Sequence, residues 1–104
     1  MADYISVCRT DELAPGTARV CELRGKAVGV FRLENGELLA VADTCTHEEA
    51  SLSEGEIEDD TVYCPLHGAQ FNLRTGKAMT LPAVFPIRTY DVRVVDGDIQ
   101  IAEK

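Results

Sequence analysis

The run Thr89-Tyr90-Asp91-Val92-Arg93-Val94-Val95, then Asp96-Gly97, then Asp98-Ile99-Gln100-Ile101-Ala102, restricts the fold more than any other stretch. Successive residues of a strand point to opposite faces, so Tyr90, Val92 and Val94, alternating with polar residues, mark one buried face. Asp-Gly accepts the left-handed conformation of a tight hairpin turn, and Ile99 and Ile101 continue the buried face on the return strand. The same grammar recurs upstream. "KAVGVFRL", then Glu34-Asn35-Gly36-Glu37, then "LLAVA" reads as a second hairpin, in which Asn-Gly tolerates the positive φ of the turn. "TARVCEL" reads as a further strand closed by Arg24-Gly25. No segment keeps an apolar period of 3.6 residues; "TDELAP" supports at most one helical turn, with Thr10 as its cap. The expected class is therefore all-β and antiparallel.

At 104 residues the chain is read as one domain, 1–104, with room for a single core. It carries 10 basic and 18 acidic residues, a formal charge of -8, which repels phosphate backbones and excludes nucleic acid as a partner. An acidic surface instead suits docking to a basic patch on another protein. The opening "MADYISVCRTDELAPG" has no charged-then-apolar export pattern, and the apolar run "AVGVF" is too short to span a bilayer, so the expectation is a soluble cytoplasmic protein with no membrane contact. The acidic run "SEGEIEDD" lacks the ordered spacing of a calcium loop and reads as a solvated turn around Gly55.

In a reducing compartment four cysteines do not make a disulfide framework, and cysteine next to histidine argues for metal. Both histidines of the chain follow a cysteine closely: Cys45-Thr46-His47, sixteen residues, then Cys64-Pro65-Leu66-His67. Each loop offers one thiolate and one imidazole, a set that serves either a mononuclear zinc ion or a two-iron two-sulfur cluster. Zinc motifs group like ligands together, whereas the pairs here are mixed, and mixed pairs suit a binuclear centre in which the cysteines hold one iron and the histidines the other. Cys8 and Cys21 lie in strand-like sequence far from any histidine and read as small buried hydrophobes.

The pattern C-x-H, sixteen residues, C-P-x-H-G resembles the binding motif of Rieske iron–sulfur proteins at every ligand position. The likeness extends through "DTCTH", "CPLHGAQFNLRTG", "LPA" and the closing hairpin. It is greatest to the small ferredoxins of bacterial aromatic-ring dioxygenase systems of the biphenyl and carbazole type. This resemblance implies a Rieske fold, an antiparallel β-sandwich or barrel-like base with a small cluster-binding subdomain of two loops at about residues 43–83. It implies one Rieske-type two-iron two-sulfur cluster, with Cys45 and Cys64 on the inner iron and His47 and His67 on the outer one. It implies a monomeric carrier, not an enzyme, taking electrons one at a time from an NAD(P)H-dependent flavin reductase and passing them to a terminal Rieske oxygenase. Gly68 would let backbone approach the cluster, and Pro82 would sit in a covering loop.

Several positions depart from relatives. Glu48 and Glu49 place two carboxylates directly after His47. High-potential Rieske proteins resemble this chain but carry a disulfide and two hydroxyl donors around the cluster; here Ala50 and Leu66 stand for the cysteines, Ala69 for the serine and Phe71 for the tyrosine. A Rieske oxygenase needs further histidines for a second iron, and both histidines are already used. The alternative within the fold is the small subunit of an assimilatory nitrite reductase, and outside it a zinc-stabilised interaction module.

Overall fold

The computed structural model describes residues 3–44, 51–65, 68–79 and 85–104. Among the described residues nine strands form two antiparallel sheets: β1 Ile5–Arg9, β2 Thr17–Leu23, β3 Lys26–Arg32, β4 Leu38–Ala42, β5 Ile57–Glu58, β6 Thr61–Tyr63, β7 Gln70–Asn72, β8 Thr89–Val95 and β9 Asp98–Glu103. The larger sheet runs in the order β1-β9-β8-β4-β3-β2 and the smaller in the order β5-β6-β7. Two short 3-10 turns, Thr10–Glu12 and Leu52–Glu54, are the only helical elements among the described residues.

The expected hairpins are present, and the closing one has the register that its Asp-Gly turn demands. β8 pairs β9 through Val92↔Ile101 and Val94↔Ile99, and β3 pairs β4 through Val30↔Ala40. Asp96 and Gly97 both take positive φ, as do Arg24 and Gly25 between β2 and β3. The β3–β4 connection uses its residues differently. Only Gly36 takes positive φ, while the Asn35 side chain accepts the Glu37 N–H at 2.9 Å, so the loop is the three-residue type with a left-handed third residue.

Three expectations are corrected. Arg9, not Thr10, is the N-cap of the first 3-10 turn. Strand β1 stays paired to Asp98 through Arg9, so the chain can turn only after it, and Glu12 closes the turn by accepting the Arg9 N–H at 2.7 Å. Val94 is 49% exposed, because β4 pairs β8 only as far as Ala40↔Tyr90 and nothing covers the hairpin tip. Cys8 and Cys21 are half-buried, since they sit on the two edge strands.

Both edge strands nonetheless pack on one core. Cys8 of β1 and Cys21 of β2 lie against the cluster of Val28, Val30, Ala40, Tyr90, Ile99 and Ile101, so the six strands curl into a barrel-like base. Strands β3 and β4 are buried on both faces. Val28 and Val30 point into that base, while Phe31 and Val41 point outward into a second core with Leu52, Val62, Phe71, Leu73 and Ile87. This second core joins the three-stranded sheet to the base. At its rim the Arg74 guanidinium grips both Glu37 carboxylate oxygens and also reaches Asp60 at 3.1 Å, linking the β3–β4 loop to the turn before β6. The guanidinium holds the Glu37 carboxyl below its ordinary range. No helix among the described residues is long and apolar enough to cross a membrane.

Candidate metal centre

Of the four expected ligands, Cys64 is described; Cys45, His47 and His67 lie outside the described residues, as do Glu48, Glu49, Ala50, Leu66 and Pro82. What the structure does define is the set of anchors from which those segments leave.

The first anchor follows β4. The Asp43 N–H donates to Ala27 O at 3.0 Å, the Leu52 N–H donates to Asp43 O at 2.7 Å, and Thr44 bridges Ser51. Thus the chain leaves the sheet at Thr44 and returns beside it at Ser51. The second anchor is the β6–β7 hairpin. β6 delivers Cys64, whose N–H donates to Ala69 O at 2.7 Å, while Gly68 N–H donates to Cys64 O at 3.0 Å. Gly68 achieves that return with φ of 71°, a conformation that costs a residue with a Cβ but not glycine. The third anchor continues from β7: Met79 N–H donates to Gln70 O at 2.7 Å, and the chain comes back where Ile87 N–H donates to Gly76 O at 2.8 Å.

These three anchors converge on a single core. Leu52, Cys64, Ala69 and Ile87 all belong to the cluster built on Phe31 and Phe71, with Ala78 packed against it. Cys64 is 2% exposed, so its sulfur is withheld from water, whereas Pro65 and Gly68 on the same loop are exposed. Backbone contact ties the first anchor to the second. Tyr63 N–H donates to Glu56 O at 2.9 Å, and a Cβ on Gly55 would collide with the Tyr63 carbonyl. The turn expected at Gly55 is therefore also a point of close approach that no larger residue allows. Glu54, Gly55, Glu56, Tyr63, Cys64, Pro65 and Gly68 line a hollow of about 320 Å³ with an acidic edge. On that edge the Tyr63 hydroxyl donates to Glu58 at 3.1 Å, and this bond pushes its pKa up. A second hollow of about 320 Å³, between Glu34, Asn35, Asp59, Asp60 and the paired Arg74, offers neither sulfur nor imidazole.

Cys8 and Cys21 pack against the core of the barrel-like base, apart from the core that holds Cys64. Burial pushes the Cys21 thiol up to about 11, helped by the neighbouring Cys8 and Asp43, and burial raises Cys8 as well. Both therefore stay protonated at neutral pH, as inert packing groups do.

The model of the family described as "Rieske [2Fe-2S] domain" matches residues 3–91. The chain belongs to the Rieske family. It is 51% identical over 96 residues to the 3-phenylpropionate/cinnamic acid dioxygenase ferredoxin subunit of Photorhabdus laumondii subsp. laumondii, covering 91% of this chain and 90% of that relative. Among solved structures it is similar to the ferredoxin in the complex of reduced oxygenase and oxidized ferredoxin of carbazole 1,9a-dioxygenase. There the TM-score is 0.89 at 36% identity, over 97% of this chain and 94% of that one. It is also similar to a putative NADH-dependent nitrite reductase small subunit from Mycobacterium tuberculosis, with a TM-score of 0.91 at 29% identity over 100% and 97% of the two chains. The Rieske backbone thus serves both groups equally well, and sequence separates them in favour of the dioxygenase ferredoxins. The chain is a ferredoxin-type electron carrier, and its cofactor is one Rieske-type two-iron two-sulfur cluster. The residues fit that group: Cys64 is a buried thiol on a tight loop, and the sequence supplies one thiol and one imidazole on each of two segments whose anchors share a core.

Proposed function

We propose that this chain carries single electrons from an NAD(P)H-dependent flavin reductase to a terminal aromatic-ring dioxygenase, as a cytoplasmic monomer. The observation that carries the reading is the convergence of three chain anchors on the core that encloses Cys64. Residues of about 43–83 make the cluster-binding part. Cys45 and Cys64 would hold the inner iron, and His47 and His67 the outer iron through one ring nitrogen each. When bound, the cluster takes up and releases one electron at a time.

The protein's share of the work is to hold and shield. Leu52, Val62, Ala69 and Phe71 exclude water from the Cys64 side. The Cys64–Gly68 and Cys64–Ala69 hydrogen bonds fix the cysteine so that little has to move when charge changes. On the open side, Glu54 and Glu56 give the hollow a negative edge that favours a basic partner face.

The test is spectroscopic. His47→Ala and His67→Ala each remove the electron spin resonance signal of the reduced Rieske centre, whereas Cys8→Ser and Cys21→Ser leave it intact. An unchanged signal in either histidine variant refutes the ligand assignment.

A further inference from the structure

Among the described residues Asp43 is the one polar or charged residue in the buried set, at 4% exposure, and neither electron transfer nor the ligand motif accounts for it. It stands two residues before Cys45, on the face of β3 and β4 that carries Phe31 and Val41. Its carboxylate reaches the returning chain at Ser51 and Ser53. Oδ2 accepts the Ser51 hydroxyl, and Oδ1 accepts the Ser53 N–H at 2.7 Å. Ser51 Oγ also lies 2.9 Å from Ser53 Oγ. With the backbone bonds to Ala27 and Leu52, both ends of the side chain and both ends of the peptide unit are occupied.

The space for this group is made by the opposite strand. A Cβ on residue 29 would stand 2.9 Å from Asp43 Oδ1 and 2.8 Å from Phe31 Cε1, so Gly29 leaves the site open for a carboxylate that has nowhere else to go. Glycine inside a strand is destabilising relative to alanine, and here that loss is offset by the room it gives. A solvated loop would need no such arrangement, and Ser51 and Ser53 could satisfy their own groups with water.

We propose that Asp43 is a positioning residue for the cluster: by tying Ser51 and Ser53 to the end of β4, it fixes the two points, Thr44 and Ser51, between which Cys45 and His47 lie in the chain. The inference rests on the ligand reading above. Outer-shell partners of metal ligands change metal affinity by about 10–100-fold when lost, and the same range is expected for retention of the cluster.

Purified holoprotein is exposed to excess iron chelator while cluster absorbance is followed, and the electron spin resonance line shape of the dithionite-reduced form is recorded in parallel. Asp43→Ala is expected to lose the cluster at least about tenfold faster than wild type, with a broadened spectrum. Asp43→Asn keeps an oxygen for the Ser53 N–H and a polar partner for Ser51, and restores wild-type loss and line shape. Ser51→Ala, which leaves the buried carboxylate in place, gives an intermediate rate at nearly unchanged thermal midpoint. Should Asp43→Ala yield no folded holoprotein, Ser51→Ala and Asp43→Asn decide: loss rates within twofold of wild type for Ser51→Ala overturn the proposal, as does failure of Asp43→Asn to restore the line shape. If wild type itself shows no Rieske spectrum, it is the ligand reading that fails.

Discussion

Leu52→Ala tests whether one core carries all three anchors. Leu52 is 0% exposed, follows the first loop directly and packs in the cluster that holds Cys64, Ala69 and Ile87. Truncation removes three carbons, and at about 0.8 kcal/mol per buried methylene the transfer loss alone is about 2.4 kcal/mol. The flanking turn is pinned by Leu52 N–H to Asp43 O and by Gly55 N–H to Leu52 O, so the site collapses poorly and a cavity term adds to the loss. The expected destabilisation is about 3–4 kcal/mol, a large part of the roughly 5–15 kcal/mol of a domain this size. It is measured by urea titration of the holoprotein at fixed protein concentration, with the unfolding slope checked for constancy. Val20→Ala, at a residue 50% exposed on the edge strand β2, is the control and costs less than about 0.5 kcal/mol. A loss under about 1 kcal/mol for Leu52→Ala would falsify the view that the loop anchors share a tightly packed core.

The reduction potential is expected near the bottom of the Rieske range, around -150 mV, because neutral histidines lift it above plant-type ferredoxins while the hydroxyl donors of high-potential relatives are missing. Ala69→Ser, adjoining the Cys64 backbone, raises it; a wild-type value above about +100 mV by protein voltammetry contradicts this account. The Arg74 clamp gives a pH dependence. The Glu37 pKa is lowered from its ordinary value of 4.5, so its contribution to stability is complete above about that pH and is lost as pH falls through the lowered folded value. Glu37→Gln therefore weakens the protein at neutral pH and flattens its acid unfolding limb; parallel acid titrations of the two proteins would speak against the clamp. The rate of electron transfer to a basic partner falls as salt rises above about 0.1 M, where the Debye length is about 10 Å, and stopped-flow rates indifferent to salt assign the charge of -8 to solubility alone.

Local pattern was enough for the hairpins, and it is what singles out the candidate ligands. Alternation at Val92, Ile99 and Ile101, and the pairs Asp96-Gly97 and Arg24-Gly25, act between residues a few positions apart, and the structure keeps them in that form. Cysteine and histidine announce themselves because few other side chains do their chemistry, so Cys45, His47, Cys64 and His67 stand out as the proposed ligands by residue type and spacing. What depended on tertiary structure were contacts between residues that no short-range rule relates. Nothing in the local pattern says that Asp43 is buried; its setting arises because β3 puts Gly29 opposite it and the chain returns at Ser51. Gly55 reads as a turn, and only the approach of Tyr63 shows why a side chain is excluded there. Arg74 joins Glu37 across 37 positions in the chain, and Val94 loses its cover because the β4–β8 pairing stops at Ala40↔Tyr90. Side-chain period says which face is buried, but what stands against that face is decided when the sheets close on one another.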